Sequence, residues 1–290
     1  MIDAYFIHLL ILIGIYLILA ISLQLSLGYS GLLNLGHIAF FGLGAYAYAI
    51  LALGGLSSIF CLLIAGVLSA FFGYLLSTPT NKLKGDYFAL MSLGFSFVVY
   101  AVLLNWTQLT RGPLGLSEIP RPIIFGYDFS NTILFLALVL IIALVSYLFL
   151  RRLVNSPFGN AMEATRDDEL AARSLGKNTL KLKSISLIIS AFFAGIAGSL
   201  FASYITFIDP SSFTFVNLIP LLLIVIIGGI ASLPGTLLAT IIIILLPEIL
   251  RFIGLPSEIL GPVRQIFYAL ALILIVYFKP RGFYGKINLE

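Results

Sequence analysis

The stretch AYFIHLLILIGIYLILAISLQLSLGYSGLLNLGHIAFFGLGAYAYAILALGGLSSIFCLLIAGVLSAFFGYLLSTPTN, residues 4–81, contains no Asp, Glu, Lys or Arg. A membrane-spanning helix needs about 20 apolar residues, so this stretch alone has room for three or four crossings. Over the whole chain, 61% of residues are hydrophobic and 10% are charged. A soluble domain has about 45–50% apolar and about 25% charged residues. The sequence therefore predicts an all-α, polytopic membrane protein.

Apolar runs recur along the chain, and each is predicted to be a helix because a backbone in lipid must satisfy its polar groups internally. We place nine such spans near residues 4–27, 32–54, 56–77, 87–105, 132–150, 184–206, 216–233, 235–250 and 263–278. Glycine-rich pieces in the first and last thirds leave the count between eight and ten. We expect one transmembrane domain over residues 1–290, and no cleaved signal peptide, because the start of the chain lacks a basic segment.

The Lys and Arg residues predict the orientation, since they accumulate in cytoplasmic loops. If the loop 151–183 is cytoplasmic and the spans alternate, twelve of the 16 Lys and Arg residues lie inside. The inner set is Lys82, Lys84, Arg151, Arg152, Arg166, Arg173, Lys177, Lys181, Lys183, Lys279, Arg281 and Lys286. The outer set is Arg111, Arg121, Arg251 and Arg264. With nine spans the C-terminus lies inside and the N-terminus outside.

The largest loop predicted on the outer face covers residues 106–131, WTQLTRGPLGLSEIPRPIIFGYDFSN. Its three prolines and its glycines favour turns and extended chain over a helix. This loop is one candidate contact for an extracytoplasmic protein.

Charge is concentrated in AMEATRDDELAARSLGKNTLKLK, residues 161–183, which holds nine of the 28 charged residues. We expect a short helix with Thr165 as N-cap and Asp168 in the place of a capping-box acid. Acidic residues favour the positive end of its dipole, and Gly176 favours its end. Leu170, Ala171 and Leu175 form a narrow apolar stripe. Two interpretations remain: a helix on the membrane surface near anionic headgroups, or a helix that docks on a cytoplasmic partner.

The stretch 28–46, GYSGLLNLGHIAFFGLGAY, combines helix-weakening glycines with polar side chains at membrane depth. Gly28 and Gly31 should interrupt the helix, since an internal glycine costs about 1 kcal/mol relative to alanine. Asn34 and His37 must face protein or a water-filled cavity. They either line a translocation pathway or make structural hydrogen bonds. The other glycines of the stretch favour close helix packing.

The second half of the chain has a matching interruption. Gly228 and Gly229 and then the pair Pro234-Gly235 lie between two apolar runs. Interrupted segments in both halves are typical of transporters whose substrate site lies near the middle of the membrane. The small residues 194–195 and 197–198 predict a packing face on another helix.

Several classes of function lack the residues they need. The sequence has no phosphate loop, and it has no His-Glu-x-x-His motif, so we expect no catalytic residues, no metal site and no cofactor in this chain. An ion-coupled carrier would need carboxylates within the membrane, whereas Asp86 and Glu248 lie at predicted span ends, where they favour anchoring. Cys61 favours core packing. The net charge of +4 gives no indication of nucleic-acid binding.

Five segments in order resemble the LivM-type permease subunit of branched-chain amino acid ABC importers. They are residues 28–46, quoted above, LKGDYFALMSLGF (83–95), AMEATRDDELAARSLGKNTLKLKSISLIISAFFAGIAGSLFA (161–202), GGIASLPGTLLA (228–239) and KPRGFYG (279–285). ELAARSLG also resembles the EAA loop of ABC permeases, with Leu170 as one inserted residue. Since the chain begins near the first matched helix, the resemblance implies that the extra N-terminal helices of some relatives are absent.

The resemblance implies a permease subunit in the cell inner membrane that imports Leu, Ile and Val delivered by an extracytoplasmic binding protein. Two ATPase subunits would bind ATP and Mg, and a second, related permease would complete a heterodimer. The implied contacts with the ATPase are Asp168, Glu169, Ala171, Ala172, Leu175 and Gly176. Related permeases for urea, short amides or other amino acids remain alternatives.

Overall fold

The computed structural model describes residues 2–80, 85–124, 127–252, 257–278 and 282–285. The long helices are α1 (Ile2–Gln24), α2 (His37–Leu53), α3 (Ser58–Thr80), α4 (Gly85–Asn105), α6 (Thr132–Val154), α9 (Thr179–Ile205), α10 (Ile219–Gly228), α11 (Leu233–Phe252) and α12 (Ser257–Phe278). The shorter ones are α5 (Thr107–Thr110), α7 (Pro157–Asp167) and α8 (Glu169–Ser174). A π-helix, Leu25–Tyr29, continues α1.

The helical class predicted from the apolar runs is confirmed, and a helix lies at each predicted span. Within the described residues, five helices are long and apolar enough to cross a membrane: Ala4–Tyr29, Ser58–Pro79, Asp86–Asn105, Thr132–Val154 and Thr179–Ile205. Three apolar helices are shorter: His37–Leu53, Phe215–Gly228 and Leu233–Glu248. The number of crossings, nine, therefore stays a prediction. The inner basic residues Lys82, Lys84, Lys279, Arg281 and Lys286 lie outside the described residues.

The centre of the fold is α9, which packs against α2 and α3. Small residues allow the close approach: a Cβ on Gly44 would lie 2.3 Å from the carbonyl oxygen of Gly195. A Cβ on Gly198 would lie 2.0 Å from the carbonyl oxygen of Phe41. The small-residue packing face predicted on this helix is confirmed. Without a hydrophobic driving force between helices in lipid, such contacts supply much of the association energy.

A second group of helices surrounds α1, which contacts α6, α9, α10 and α11. Gly14 allows α1 and α6 to approach each other closely, since a Cβ at this position would lie 2.5 Å from Val139 Cγ1. The outer surfaces of α4 and α6 carry exposed apolar side chains, among them Phe97, Val98, Leu144 and Val145. These surfaces are suited to contact with lipid.

The loop 106–131 follows the prediction of turns and extended chain. It contains the one-turn helix α5, a 3₁₀ turn at Gly112–Leu114 and a hairpin of β1 (Ile123–Ile124) with β2 (Tyr127–Asp128). Residues 125–126, at the tip of this hairpin, lie outside the described residues. Leu116 pairs with Ile208 in the 206–214 loop. The loop is therefore tied to the end of α9.

Candidate coupling segment and translocation pathway

The charged stretch forms two helices, so the prediction of one helix capped by Thr165 is wrong. Thr165 is buried inside α7, where its hydroxyl donates to the carbonyl of Ala161 at 2.8 Å. The cap of α7 is Ser156, whose hydroxyl accepts from the N–H of Gly159. Pro157 occupies the first turn, where its missing N–H costs nothing. Helix α7 therefore starts earlier than the sequence indicated.

Asp168 separates the two helices and is the N-cap of α8. Its extended backbone ends α7, and its carboxylate accepts from the N–H groups of Leu170 at 2.9 Å and Ala171 at 3.0 Å. Asp168 is thus itself an N-cap, and not the acidic residue at the third helical position of a capping box. The predicted end at Gly176 is confirmed, since Gly176 has a positive φ of 75°. We call residues 157–176 the coupling segment.

The faces of α8 are clearly divided. Leu170 and Leu175 are 76% and 80% exposed, and Ala171 is also exposed. Ala172, by contrast, is buried and faces the chain itself. The expectation that the Ala172 methyl group lies on the docking surface is therefore corrected. The exposed apolar face consists of Leu170, Ala171 and Leu175.

Glu169 holds α8 to the start of α9. Its carboxylate accepts from Lys183 Nζ at 2.7 Å, Arg173 Nη2 at 2.7 Å and the Thr179 hydroxyl at 3.0 Å. Partial burial raises the pKa of Glu169, but the hydrogen bonds from Lys183 and Thr179 outweigh this and hold the pKa below the usual value. Glu169 thus anchors the coupling segment within this chain.

The predicted interruption of the first helix is confirmed. The π-helix ends at Tyr29, Gly31 has a positive φ of 68°, and the next helix starts only at His37. A π-helix within an α-helix frequently marks a functional position. The chain between Gly31 and Gly36 is irregular, so it departs from the span predicted over residues 32–54.

Arg166 joins the coupling segment to this interruption. Its Nη1 donates to the carbonyl oxygen of Gly28 at 2.6 Å, and its guanidinium also pairs with Asp167 at 2.8 Å. Its side chain is only 12% exposed. A Cβ on Gly31 would lie 2.8 Å from Arg166 Cγ. From the sequence Arg166 is predicted only as one of the inner basic residues, because no local spacing relates it to a carbonyl 138 positions away.

The interrupted segments of the two halves meet. Gln24 Nε2 donates to the carbonyl oxygens of Gly229 at 2.7 Å and Ser232 at 3.3 Å. A Cβ on Gly28 would lie 2.7 Å from the backbone nitrogen of Ala231. Gly229 has a positive φ of 96°. The glycines of both segments are recognisable in the sequence, whereas the role of Gln24 was missed, although Gln24 is a polar side chain within a long uncharged stretch.

Asn34 and His37 are fully buried in this conformation. His37 Nε2 lies 2.9 Å from the Ser22 hydroxyl and 3.2 Å from the carbonyl of Leu19. Asn34 Oδ1 accepts from the N–H of Gly36 at 3.1 Å. Among the described residues, His37 Nδ1 and Asn34 Nδ2 have no hydrogen-bond partner. Each side chain therefore combines a structural bond with one unsatisfied polar atom.

Two cavities lie at different levels along α1. The Glu248 cavity, about 460 Å³, is lined by residues of α1 between Leu9 and Tyr16 and by residues of α10, α11 and α12. The Arg151 cavity, about 530 Å³, is lined by Tyr29, Ala231 and Ser232. Gln24 lies between these levels on the same helix. Gln24 bonds to Gly229 and Ser232, and Ser232 also lines the Arg151 cavity.

Comparison with known proteins gives the family. A model described as "Branched-chain amino acid transport system / permease component" matches residues 5–278. The chain is 40% identical over 231 residues to the "High-affinity branched-chain amino acid transport system permease protein LivM" of Escherichia coli strain K12. The aligned region covers 71% of this chain and 54% of that protein. It is 29% identical over 236 residues to the "Probable branched-chain amino acid transport permease protein LivM" of Methanocaldococcus jannaschii, with 77% and 67% covered.

A more distant relative is the "Autoinducer 2 import system permease protein LsrC" of Escherichia coli O9:H4, which is 27% identical over 177 residues, with 60% of this chain and 48% of that protein covered. No solved structure matches the chain significantly. The chain spans about half the length of the bacterial LivM proteins. Because the family model matches nearly all of the chain, the chain belongs to the family of branched-chain amino acid transport system permease components.

Proposed function

We propose that this chain is a permease subunit of an ATP-driven importer for the branched-chain amino acids Leu, Ile and Val. It would lie in the cell inner membrane, with the coupling segment and the C-terminus in the cytoplasm. The observation that carries the proposal is the bond between Arg166 and Gly28, because it connects an exposed charged segment to an interrupted membrane helix. The relatives named as branched-chain amino acid permeases support the substrate.

The coupling segment is the proposed site of mechanical input. Two separate ATPase subunits would bind ATP and Mg, and one of them would receive the exposed face of Leu170, Ala171 and Leu175 in a groove. Asp168 shapes this face as the cap of α8, Glu169 fixes it to α9, and Gly176 ends it. Ala172 supports the face from inside the chain. Movement of the ATPase would thus move α7 and α8 together.

Arg166 would pass this movement to the pathway. Its guanidinium is bonded to the last turn of the π-helix at Gly28, and its aliphatic part rests on Gly31. A shift of α7 must therefore either displace the π-helix or break a charge-assisted hydrogen bond, which is worth about 1.5–3 kcal/mol. Displacing the π-helix would in turn change the contact of Gln24 with Gly229.

We assign the translocation pathway to Gly28, Gly31, Asn34, His37, Gly228 and Gly229. Gly28 brings the two interrupted segments together, since a Cβ there would lie 2.7 Å from the backbone nitrogen of Ala231. A Cβ on Gly228 would lie 2.6 Å from the carbonyl carbon of Gly235, and Gly31 and Gly229 have positive φ values that favour glycine. Asn34 and His37 each offer an unsatisfied polar atom that a solute or water would meet once the segments separate.

The remaining partners follow from the architecture of such importers. An extracytoplasmic binding protein would deliver the solute to the loop 106–131, which is held to the end of α9 by Leu116 and Ile208. A second, related permease would complete a heterodimer in the lipid membrane. The similarity to LsrC supports one second candidate, a permease for a different small solute.

Reconstitution tests this function. We expect proteoliposomes that contain this chain, its partner permease and the ATPase subunits to accumulate leucine only with internal ATP and external binding protein. Accumulation driven by a sodium or proton gradient without ATP would overturn the proposal in favour of a secondary carrier. ATP-driven uptake of urea or another solute, with no uptake of leucine, would support the second candidate.

A further inference from the structure

The Arg151 cavity lies where four parts of the chain meet. Tyr29 ends the π-helix, Arg151 lies near the end of α6, and Ser232 precedes α11. The C-terminal segment adds Tyr284, whose N–H donates to the carbonyl of Gly228 at 3.2 Å. The volume of about 530 Å³ falls within the range of about 300–1,000 Å³ that is typical of ligand pockets. The cavity is therefore large enough for a lipid headgroup.

Arg151 gives the cavity a positive charge. Among the described residues that line it, Arg151 is the only one with a formally charged side chain. Within the described part of the chain, no hydrogen bond or ion pair occupies its guanidinium group. Glu163 and Arg166, which both act electrostatically on the Tyr29 hydroxyl, carry opposite charges. The cavity therefore favours a ligand with an anionic group.

The polar side chains around Arg151 are suitable partners for a phosphate. A guanidinium group can donate two parallel hydrogen bonds to phosphate oxygens. Tyr29, Tyr147 and Tyr284 contribute hydroxyl groups, and Asn155 contributes an amide. Tyrosine is also enriched at the level of the lipid headgroups. In the proposed orientation this end of α6 is cytoplasmic, and basic pockets between membrane helices on that side bind anionic headgroups.

An exposed apolar stripe leads from Arg151 along α6. It consists of Ile141, Leu144 and Leu148, which are all exposed. Helical residues three and four positions apart lie on the same face, and Arg151 follows Leu148 by three positions. We call these three residues the α6 stripe. A phosphate at Arg151 that carries acyl chains would lay one chain along the α6 stripe, whereas a free phosphate would leave the stripe uncovered.

We propose that the Arg151 cavity binds the phosphate headgroup of an anionic phospholipid of the cytoplasmic leaflet, with an acyl chain along the α6 stripe. A headgroup without an ammonium group, such as phosphatidylglycerol, suits the lining, because no carboxylate lies among the described lining residues. The bound lipid would touch both interrupted segments, through Tyr29 and Ser232. This inference goes beyond the proposed import function and uses only its orientation.

The test measures the lipid that the assembled transporter retains in detergent, by native mass spectrometry. Phosphatidylglycerol and phosphatidylethanolamine with identical acyl chains are added separately, and we expect tighter retention of phosphatidylglycerol. Arg151→Gln should raise the phosphatidylglycerol concentration for half-occupancy by about tenfold or more, because a hydrogen bond to a charged group is lost. Arg152→Gln removes the neighbouring exposed charge, which does not line the cavity, and should bind like the unmodified protein. The difference between these variants isolates the site from other lipids on the assembly.

Two further arms identify the source of the phosphate. Leu148→Gln should weaken the retention of phosphatidylglycerol, whereas Val98→Gln, on the exposed apolar surface of α4, should not. Inorganic phosphate alone should not displace the lipid. Its displacement of phosphatidylglycerol at similar concentrations, or unchanged retention in Leu148→Gln, would overturn the assignment to a lipid.

Equal retention by Arg151→Gln and Arg152→Gln, or no phosphatidylglycerol on the assembled transporter, would overturn the site itself. The assay involves no transport, so either result would leave the proposed import function standing. That function fails separately, if the reconstituted transporter takes up no leucine with ATP.

Discussion

Arg166 Nη1 lies 2.6 Å from the carbonyl oxygen of Gly28, and this bond joins the coupling segment to the interrupted first helix. The carbonyl belongs to the end of the π-helix, where the helix dipole favours a cation. The side chain is largely shielded from solvent. The bond is therefore protected from the competition with water that weakens exposed contacts.

Gly31 provides a stability test of this junction. Gly31→Ala forces a residue with a Cβ into positive φ and against Arg166, so we expect a loss of about 1–2 kcal/mol of stability and a lower melting temperature. Gly94→Ala is the matched control, because no neighbouring atom lies within 4 Å of a Cβ added there. It should be neutral or slightly stabilising. Equal melting temperatures for the two variants in detergent would refute the crowding at Gly31.

The exposed face of α8 should be the docking surface for the ATPase. Replacing Leu170 and Leu175 together with Asp places two charges on this apolar face, and we expect the ATPase subunit to co-purify at least tenfold less, as loss of a central apolar contact costs over 1 kcal/mol. Leu114→Asp is the matched control, since Leu114 is 81% exposed but lies in the loop 106–131. Full co-purification of the double variant would exclude α8 as the contact.

The sequence predicts Ala172 as a contact with the ATPase subunit, but Ala172 is buried within this chain. A variant at this position must therefore be interpreted differently. Ala172→Arg would put a charged side chain into a closed site, so loss of uptake would reflect displacement of α8 rather than a lost contact. The exposed leucines give the cleaner experiment.

The orientation is tested by thiol labelling in a Cys61→Ser background. Ser117 and Ser174 are both exposed, so a cysteine at either position is accessible to reagent from its own side. We expect an impermeant maleimide to label Ser117→Cys in intact cells and Ser174→Cys only after the membrane is opened. The opposite pattern would reverse the topology.

The roles of Asn34 and His37 are tested by Asn34→Leu and His37→Phe. Under the pathway assignment both variants assemble and hydrolyse ATP at the basal rate but lose leucine uptake. Ser22→Ala is the control for structure, because it removes one of the two hydrogen-bond partners of His37 Nε2 without changing His37 itself. If both His37→Phe and Ser22→Ala fail to assemble, the hydrogen bond between His37 and Ser22 serves packing rather than transport. Normal transport by all three would remove them from the pathway.

Much of the helical architecture could be predicted from the sequence because apolar runs and glycines act locally. The break at Gly28 and Gly31, the stop at Gly176 and the small-residue face of α9 all depend on neighbours in the chain or on residue size. The start of α7 was misplaced because a local signal was overlooked: Ser156 followed by Pro157 is a stronger N-terminal pattern than Thr165.

The contacts that define the candidate site could not be predicted in the same way. Arg166 and Gly28 are 138 positions apart, and Gln24 and Gly229 are 205 apart. Tyr5 of α1 and Glu248 of α11, which share a hydrogen bond, are 243 positions apart. Such pairs depend on how helices pack against one another, and that information is absent from local spacing.

The most direct test of the account measures ATP hydrolysis and leucine uptake together in proteoliposomes that contain Arg166→Gln. The exposed Arg152→Gln, at the end of α6, is the matched control and should leave both rates unchanged. We predict that Arg166→Gln hydrolyses ATP while leucine uptake falls tenfold or more, because a buried charge-assisted bond is lost. Leucine uptake per ATP equal to that of the unmodified protein would contradict transmission through Arg166 and Gly28.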